Sequence, residues 1–263
     1  MKLQQIEITP KEFAEKLRAA RISKSTLNPP STLGAISLNW AQEVQREELL
    51  LRIKDGEQII GAKLGLTSPA KQKAMKIDQP VFGFITDAMM INGVITLEKF
   101  NQPRIEPELV IKTSKEISSI ITLEQAPLYI DSLTAGIEII DSRYHNFEFT
   151  FEDVIADNTS ATAFSFGELK RFEGQDISKF TGYIEEDGVL KGEGLLSELL
   201  GNPLNTLVAL SEYLLSIEVV LPAGSLLLAG SMTNAIPLLS GHRYRAGIRE
   251  LAFSQVEVKI NSD

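Results

Sequence analysis

Residues 135–140 place one acidic side chain inside an apolar run, because Glu138 lies between Ile137 and Ile139. Burying even a neutral polar group without a partner costs roughly 2–7 kcal/mol, and an unpaired carboxylate costs more. A chain with this segment must therefore fold so that a positive charge reaches Glu138. This requirement limits the arrangements of the chain that can be stable.

Glu106 and Glu108 form a second acidic feature, because they flank Pro107. Residues two apart in an extended strand point to the same side, so both carboxylates are expected to project together while Pro107 faces away. Pro107 removes a backbone donor, which predicts a sheet edge, a bulge or the start of a strand. If Glu138 returns on a neighbouring strand, three carboxylates meet.

Three adjacent carboxylates repel one another, and a divalent cation is their natural partner. Oxygen ligands of this kind suit Mg²⁺, Mn²⁺ or Ca²⁺ better than zinc or copper. The alternative for Glu106 and Glu108 is a solvated strand edge without a metal, and spacing alone favours it. Glu138 is harder to explain in that way, since isoleucine stands on both sides of it.

Length and composition limit the class of protein. The 263 residues predict one large domain or two smaller ones, and 43% hydrophobic residues are enough for a full core. A net charge of −9 disfavours nucleic acid as a partner, and the absence of cysteine excludes disulfides and thiolate metal sites. Apolar stretches are too short for a membrane-spanning helix and the N-terminus lacks a signal-peptide core, so we expect a cytoplasmic protein with no membrane partner.

Helices are predicted near the N-terminus and strands after them. Thr9 and Glu12 form a capping box, which predicts a helix start. From Ile59 onward, short apolar runs alternate with turn signals. The pattern predicts an α+β fold with a helical section over residues 1–58 and a β-rich domain over residues 59–263.

Three shorter signals add local detail. Thr122 and Gln125 form a second capping-box pattern, which predicts a helix toward Leu133. The pair Asn92-Gly93 predicts a β-hairpin turn. Alternation over residues 256–260 predicts a half-exposed terminal strand.

Several motifs, in one order, resemble a known family. They are residues 61–68, 103–108, 137–144, 156–160 and 230–233, within a match that runs from about residue 35 to the C-terminus. The chain resembles the hydratase and decarboxylase branch of the fumarylacetoacetate hydrolase superfamily. The resemblance implies a mixed, β-rich catalytic domain behind a helical N-terminal section, and a homo-oligomer. It also implies that Glu106, Glu108 and Glu138 bind a metal ion, usually Mg²⁺, with Mn²⁺ as an alternative.

The resemblance limits the substrates to 2-oxo or 2-hydroxy dienoic acids from meta-cleavage of aromatic rings. Residues 140–149 are similar to the decarboxylases of the branch, which remove CO₂ from 2-oxohex-3-enedioate, a 2-oxo dicarboxylic acid. Asp78-Gln79-Pro80 is more similar to the hydratases, which add water to 2-hydroxypenta-2,4-dienoate. The expected activity is decarboxylation, and the alternatives are hydration and a catalytically silent, metal-binding partner subunit. Association with the hydratase of the same pathway is a further expectation.

Two residues are candidates for catalysis within this resemblance. Lys63 is the leading one, since the neighbouring Gly61 and Gly65 let the backbone approach a ligand closely. Its alternative is a surface lysine on a strand. Asp78 is a candidate acid–base or lysine-orienting group, and its alternative is an exposed loop position.

Four further residues are candidates for substrate binding. Asp141 and Arg143 form either a structural ion pair or contacts to the substrate, because an arginine binds a carboxylate through two hydrogen bonds. Ser160 and Thr233 are candidate hydrogen-bond donors to the substrate. The equally compatible alternative for each of these two residues is a structural role in a turn or at the end of a strand.

Overall fold

Strands and helices both contribute to the fold. The computed structural model describes residues 6–75, 77, 79–252 and 254–261. Over these residues the helices are α1 (Pro10–Ser23), α2 (Leu38–Lys54), α3 (Pro69–Met75), α4 (Phe151–Ala156) and α5 (Asn205–Ser216). The strands are β1 (Ile59–Gly65), β2 (Val81–Thr86), β3 (Val94–Ile95), β4 (Arg104–Thr113), β5 (Ile130–Ile140), β6 (Ala161–Phe166), β7 (Lys170–Arg171), β8 (Thr181–Glu186), β9 (Val189–Leu195), β10 (Leu226–Ser231), β11 (Ile236–Pro237), β12 (Arg243–Ile248) and β13 (Val256–Ile260). This mixture confirms the predicted α+β class.

The larger sheet is built around β4 and β5. Its order is β2-β1-β10-β4-β5-β6, with β11 also paired to β4 and β7 to β5. Strands β1 and β10 are parallel, whereas β4 and β5 are antiparallel. The register of β4 and β5 places Glu106 directly opposite Glu138.

Strand β4 lies inside this sheet, so of the three alternatives predicted at Pro107 the sheet edge is wrong, whereas the ladder to β10 is irregular beside this residue. On one side, Pro107 is opposite Ile137 of β5. On the other side, the partner strand changes from β10, where Ser231 is opposite Glu108, to β11, which begins at Ile236. The missing N–H of Pro107 is tolerated because the residue lies at this change of partner.

The smaller sheet, of order β3-β13-β12-β8-β9, packs against β4 and β5. Isoleucines of β4 and β5 share a buried cluster with residues of the smaller sheet, namely Ile105, Ile137, Ile139, Tyr244, Ala246 and Val258. Because side chains alternate along a strand, Glu138 points to the face opposite its isoleucine neighbours. The isoleucines fill the core between the sheets, and the carboxylate faces away from it.

The N-terminal helices pack on the larger sheet. Helix α1 begins with the predicted capping box, in which Thr9 Oγ1 accepts from the Glu12 N–H at 3.3 Å and Glu12 Oε2 accepts from the Thr9 N–H at 2.9 Å. Helices α1 and α2 share a buried cluster with β2, α4 and the segment after β5, whose members include Phe13, Leu17, Val44, Val81, Tyr144 and Ile155. The division into residues 1–58 and 59–263 remains a prediction. None of the described helices combines the length and the apolar character needed to cross a bilayer.

Two local predictions are wrong for a common reason. After Thr122 the chain forms a short 3₁₀ helix at Ala126–Tyr129 and then strand β5, instead of a helix toward Leu133. Asn92-Gly93 does not join a hairpin, because the following strand β3 pairs in parallel with β13. In both cases a strand distant in sequence supplies the pairing, which overrides the local signal. The predicted terminal strand over residues 256–260 is confirmed as β13.

Helix α2 carries two Arg–Glu pairs that differ in burial and allow a matched test. Arg52 is 3% exposed and its Nε lies 2.7 Å from Glu48 Oε2, whereas Arg46 and Glu43 pair at 3.5 Å on the surface. We expect Glu48→Ala to lower the free energy of unfolding by about 3–5 kcal/mol, because it leaves a buried cation without its nearest partner. The control, Glu43→Ala, should change it by at most about 0.5 kcal/mol. Urea unfolding measures both, and equal effects would contradict the prediction.

Candidate active site

Three glutamates meet on the face of β4 and β5 that points away from the smaller sheet. Glu106 and Glu108 are two residues apart on β4, and Glu138 lies opposite Glu106 on β5. One carboxylate oxygen of each residue lies within 4.8 Å of the other two. Glu108 and Glu138 are each 1% exposed, so the solvated-edge alternative does not apply to Glu108. The structure brings together the three residues that were expected to bind metal.

Two lysines face this carboxylate cluster. The Nζ of Lys63, on β1, lies 3.1 Å from Glu138 Oε2 and donates a hydrogen bond to the Thr159 carbonyl at 3.2 Å. The Nζ of Lys71, on α3, lies 2.8 Å from Glu106 Oε1. Lys63 is 3% exposed, so the alternative of a surface lysine is wrong, while its catalytic role remains a prediction.

Burial and mutual repulsion shift the protonation of the cluster. Burial raises the pKa of Glu138 to about 7, although Lys63 acts in the opposite direction. Burial, followed by repulsion from Glu138 and Glu106, raises the pKa of Glu108 well above its usual range. Burial opposes the charge of Lys63, but attraction by the surrounding carboxylates raises its pKa. When all three carboxylates are ionised they exceed the two ammonium groups, so the cluster has room for either a proton or a further cation.

The carboxylate of Glu138 has spare capacity to accept ligands. Neither oxygen accepts a hydrogen bond from the described part of the chain, and Lys63 contacts it at the separation of an ion pair. Glu108 differs, because its Oε2 accepts from the Gly230 N–H at 2.6 Å. Buried polar groups normally have partners. Glu138 Oε1, which has no hydrogen-bond partner among the described residues, therefore marks a position that a hard cation fits.

A cavity of about 110 Å³ lies beside the cluster. Its polar lining includes Lys63, Lys71, Glu106, Thr159, Ser160 and Ser231. Its apolar lining includes Leu64, Leu66, Val81, Ile140, Phe147 and Phe149. A lining that combines charged groups with apolar side chains suits a small anion with a short carbon chain. A larger cavity of about 380 Å³ between α2 and the end of α5 lacks the carboxylate cluster and both lysines.

Comparison with known proteins identifies the family. No protein-family model matches the chain. A 4-oxalocrotonate decarboxylase of Pseudomonas sp is 32% identical over 241 residues, which cover 91% of this chain and 94% of that protein. A 2-keto-4-pentenoate hydratase of Burkholderia vietnamiensis is 29% identical over 90% of this chain and 92% of that protein. The chain belongs to the hydratase and decarboxylase branch of the fumarylacetoacetate hydrolase superfamily.

Solved structures agree with this placement. The 4-oxalocrotonate decarboxylase from Pseudomonas putida G7, complexed with magnesium and adipate, superposes with a TM-score of 0.91 at 27% identity, covering 97% of this chain and 100% of that chain. A fumarylpyruvate hydrolase from Pseudomonas aeruginosa, in complex with Mn²⁺ and pyruvate, shares the fold with a TM-score of 0.61 at 17% identity, over 77% of this chain and 89% of that chain. The predicted superfamily and its fold are confirmed.

The four residues expected to bind substrate do not lie together. Ser160 lines the cavity, and its hydroxyl is buried without a hydrogen-bond partner in the described residues. Thr233 lies outside the cavity lining, and its hydroxyl donates to the Asn234 carbonyl at 3.2 Å. Ser231, two residues earlier, lines the cavity instead. Asp78, expected to take part in catalysis, lies outside the described residues.

Asp141 and Arg143 have protein partners for their polar groups. The Asp141 carboxylate accepts from the backbone N–H groups of Asn101 and Gln102, at 2.8 and 2.7 Å. The Arg143 guanidinium forms its ion pair with Asp157. The expected ion pair between the Asp141 and Arg143 side chains is therefore not formed, and neither residue lines the cavity. The structure favours the structural alternative for both, with partners that differ from the expected ones.

Three residues of the site were not predicted from the sequence. Thr159 and Ser231 line the cavity and stand within motifs that resemble the superfamily, so a signal for them was present. Lys71 had no such signal, because only the packing of α3 against the sheet brings its ammonium to Glu106.

Arg143→Lys tests the structural role of this buried arginine. The guanidinium also donates to Thr162 Oγ1 at 3.0 Å and to the Asp141 carbonyl at 2.9 Å. We expect the free energy of unfolding to fall by about 1–3 kcal/mol, because one ammonium cannot replace the planar guanidinium and leaves buried acceptors unpaired. Arg171→Lys, at an exposed position of β7, is the control and should be neutral. Unchanged stability of Arg143→Lys in urea unfolding would favour the substrate-contact alternative.

Proposed function

We propose that this protein is a Mg²⁺-dependent decarboxylase, which converts 2-oxohex-3-enedioate (4-oxalocrotonate) to 2-hydroxypenta-2,4-dienoate in the meta-cleavage degradation of aromatic compounds. The observation that carries the proposal is the cluster of Glu106, Glu108 and Glu138, which lies beside Lys63 and next to a small cavity that Lys63 and Glu106 line. The 32% identity to a 4-oxalocrotonate decarboxylase over most of both chains supports this reaction.

Glu106, Glu108 and Glu138 are the proposed ligands of the metal ion. All three offer carboxylate oxygens, which Mg²⁺ prefers and which Mn²⁺ also accepts. Glu138 Oε1, without a hydrogen-bond partner among the described residues, fits this role. Structures of the related decarboxylase are complexed with magnesium or calcium, and the fumarylpyruvate hydrolase structure is in complex with Mn²⁺.

The reaction breaks the bond between C5 and the C6 carboxylate of the substrate. The released electron pair moves through the conjugated double bond to the C2 carbonyl oxygen, and protonation of the dienolate gives the product. A bound divalent ion supplies Lewis-acid stabilisation of the charge that develops on this oxygen. Lys63 adds a fixed positive charge in a buried site, where preorganised charges act strongly. Its ammonium binds the departing carboxylate or assists proton transfer, while the Ser160 hydroxyl donates to the substrate.

Hydration of 2-hydroxypenta-2,4-dienoate is the alternative reaction. Hydratases at 29% identity match as much of the chain as the decarboxylases do, and Asp78-Gln79-Pro80 resembles theirs. We prefer decarboxylation because Phe147 and Phe149, from the segment that resembles the decarboxylases, place aromatic rings in the cavity wall. A metal-binding subunit without activity is the third alternative.

Two associations remain predictions. They are a homo-oligomer and a complex with the hydratase of the same pathway, in which direct transfer would protect an unstable dienol product. Light scattering of the purified protein, alone and mixed with the hydratase, tests both.

A two-substrate assay tests the function. Purified protein is supplied with 2-oxohex-3-enedioate or with 2-hydroxypenta-2,4-dienoate, each with Mg²⁺ and with a chelator. We expect CO₂ release from the first substrate that depends on the metal. Consumption of the second substrate alone would support the hydratase, and no turnover of either, with metal bound, would support the silent subunit.

Glu108→Gln tests the metal ligands. Removal of a group that only supports a metal ligand lowers metal affinity by roughly 10–100-fold. We expect this nearly isosteric change, which alters a ligand itself, to lower Mn²⁺ affinity by more than that and to abolish turnover. The fold should be retained, because the amide oxygen can still accept from the Gly230 N–H. Calorimetric titration measures the affinity and circular dichroism the fold. Glu98→Gln, on an exposed glutamate, is the control, and unchanged affinity in Glu108→Gln would remove the ligand assignment.

Lys63→Ala tests the catalytic lysine. Loss of an acid–base or charge-stabilising group lowers turnover by about 10²–10⁴-fold, and we expect a value in this range. The metal should still bind, because the three carboxylates remain. Lys73→Ala removes an exposed lysine of α3 and should keep normal turnover. Wild-type kcat in Lys63→Ala would leave Lys63 with a structural role only.

A further inference from the structure

Residues Asn158, Thr159 and Ser160 form a strained turn beside the cavity. Their φ angles are +47°, +52° and +58°, so three consecutive residues other than glycine adopt the left-handed conformation. This conformation is uncommon for residues with a side chain and is an outlier for a β-branched residue such as Thr159. All three residues are buried. Such strain persists only where surrounding contacts enforce it, and it concentrates at functional sites.

The side chain of Asn158 supplies those contacts. Its Oδ1 accepts from the Phe84 N–H at 2.8 Å, and its Nδ2 donates to the Phe84 carbonyl at 2.9 Å. Asn158 thus pairs with β2 through its side chain, as a neighbouring strand would through its backbone. Gln45 of α2 adds a third contact, because its Nε2 donates to Asn158 Oδ1 at 3.3 Å.

A glycine of β2 makes room for this turn. A Cβ at Gly83 would lie 2.4 Å from Thr159 Oγ1 and 2.7 Å from the Asn158 carbonyl oxygen. The backbone of β2 therefore approaches the turn more closely than any residue with a side chain allows. The turn is therefore held against β2 both by hydrogen bonds and by close packing.

The turn delivers three polar groups to the site. The Thr159 carbonyl accepts the hydrogen bond from Lys63 Nζ, which holds the ammonium beside Glu138. The hydroxyls of Thr159 and Ser160 are buried and lack hydrogen-bond partners among the described residues, although both residues line the cavity. Buried hydroxyls without partners in the protein are suited to bind an oxygen of a ligand.

We infer that Asn158 is a positioning residue, which holds the strained turn so that Lys63 and the Thr159 and Ser160 hydroxyls face the substrate. The inference rests on the proposed function of the same cavity. Asn158 itself does not line the cavity, so it acts through the turn. The substrate group that meets the two hydroxyls and the ammonium is a carboxylate, since it needs donors and a positive charge.

Asn158→Gly separates anchoring from strain. Glycine adopts the left-handed conformation at no steric cost, so this variant removes the side-chain anchor without adding strain at residue 158. Because a misplacement of about 1 Å can lower turnover by about 10²-fold, we expect kcat to fall by this order while Mn²⁺ affinity stays at the wild-type value. Gln45→Met, which removes the third contact and keeps the volume, should lower kcat in the same direction by a smaller factor.

Ser211→Ala is the matched control for loss of a buried polar contact. Ser211 of α5 accepts from the Ile121 N–H at 2.9 Å and lies away from the cavity. We expect this variant to unfold at lower urea concentration than wild type, with normal kcat for the folded protein. Hydrogen exchange of residues 158–162 should be faster in Asn158→Gly and unchanged in Ser211→Ala.

The outcomes distinguish the inference from the proposed function. A kcat loss in Asn158→Gly that exceeds its loss of folded protein, with faster exchange of residues 158–162, supports positioning. Wild-type kcat in Asn158→Gly and Gln45→Met, or a kcat loss that follows loss of metal, overturns it. If wild-type protein turns over neither substrate, the proposed function fails. In that case hydrogen exchange of residues 158–162 tests the inference. Faster exchange in Asn158→Gly supports it, and exchange as slow as in the wild type overturns it.

Discussion

The antiparallel pairing of β4 with β5 is the constraint on which the site depends. Its register sets Glu106 opposite Glu138, and alternation along β4 adds Glu108 to the same face. The other face of these strands fills the core between the two sheets with isoleucine. A shift of one residue would turn the carboxylates into that apolar core, so the core and the site enforce the same register.

The charges gathered by this register are balanced from distant parts of the chain. Lys63 comes from β1, Lys71 from α3 and the N–H of Gly230 from β10. When ionised, the three carboxylates exceed the two ammonium groups, and Glu138 Oε1 has no hydrogen-bond partner among the described residues. Burial of excess like charge is unfavourable, which is why the pKa values of Glu108 and Glu138 are raised.

Helix α2 contributes to the site as well as to the core. Gln45 of α2 bonds to Asn158 and to the Phe82 carbonyl, and Tyr213 of α5 donates to Gln45. Through this chain of bonds, the strained turn at residues 158–160 rests on two helices and on β2. A helical section that packs in this way supports the geometry of the cavity.

Patterns of short range were readable in the sequence, while pairings of long range were not. The capping box at Thr9 needs only residues three apart, and it formed as expected. The turn signal at Asn92 failed because β13, far along the chain, pairs with the strand after it. Pro107 indicated an irregular ladder, but only the arrangement of β10, β4 and β11 shows that the irregularity lies inside a sheet.

By itself, the sequence determined that Glu138 stands among isoleucines and that Glu106 and Glu108 share a face, because these follow from neighbours and from strand periodicity. The tertiary structure alone decided which polar residues meet in the cavity. The Ser160 hydroxyl lies there without a hydrogen-bond partner in the described part of the chain, whereas Arg143 is bound to Asp157 and Thr233 lies outside. The physical reason is that a polar side chain is available to a ligand only if no other part of the fold has already taken its hydrogen bonds, and those partners lie far away in sequence.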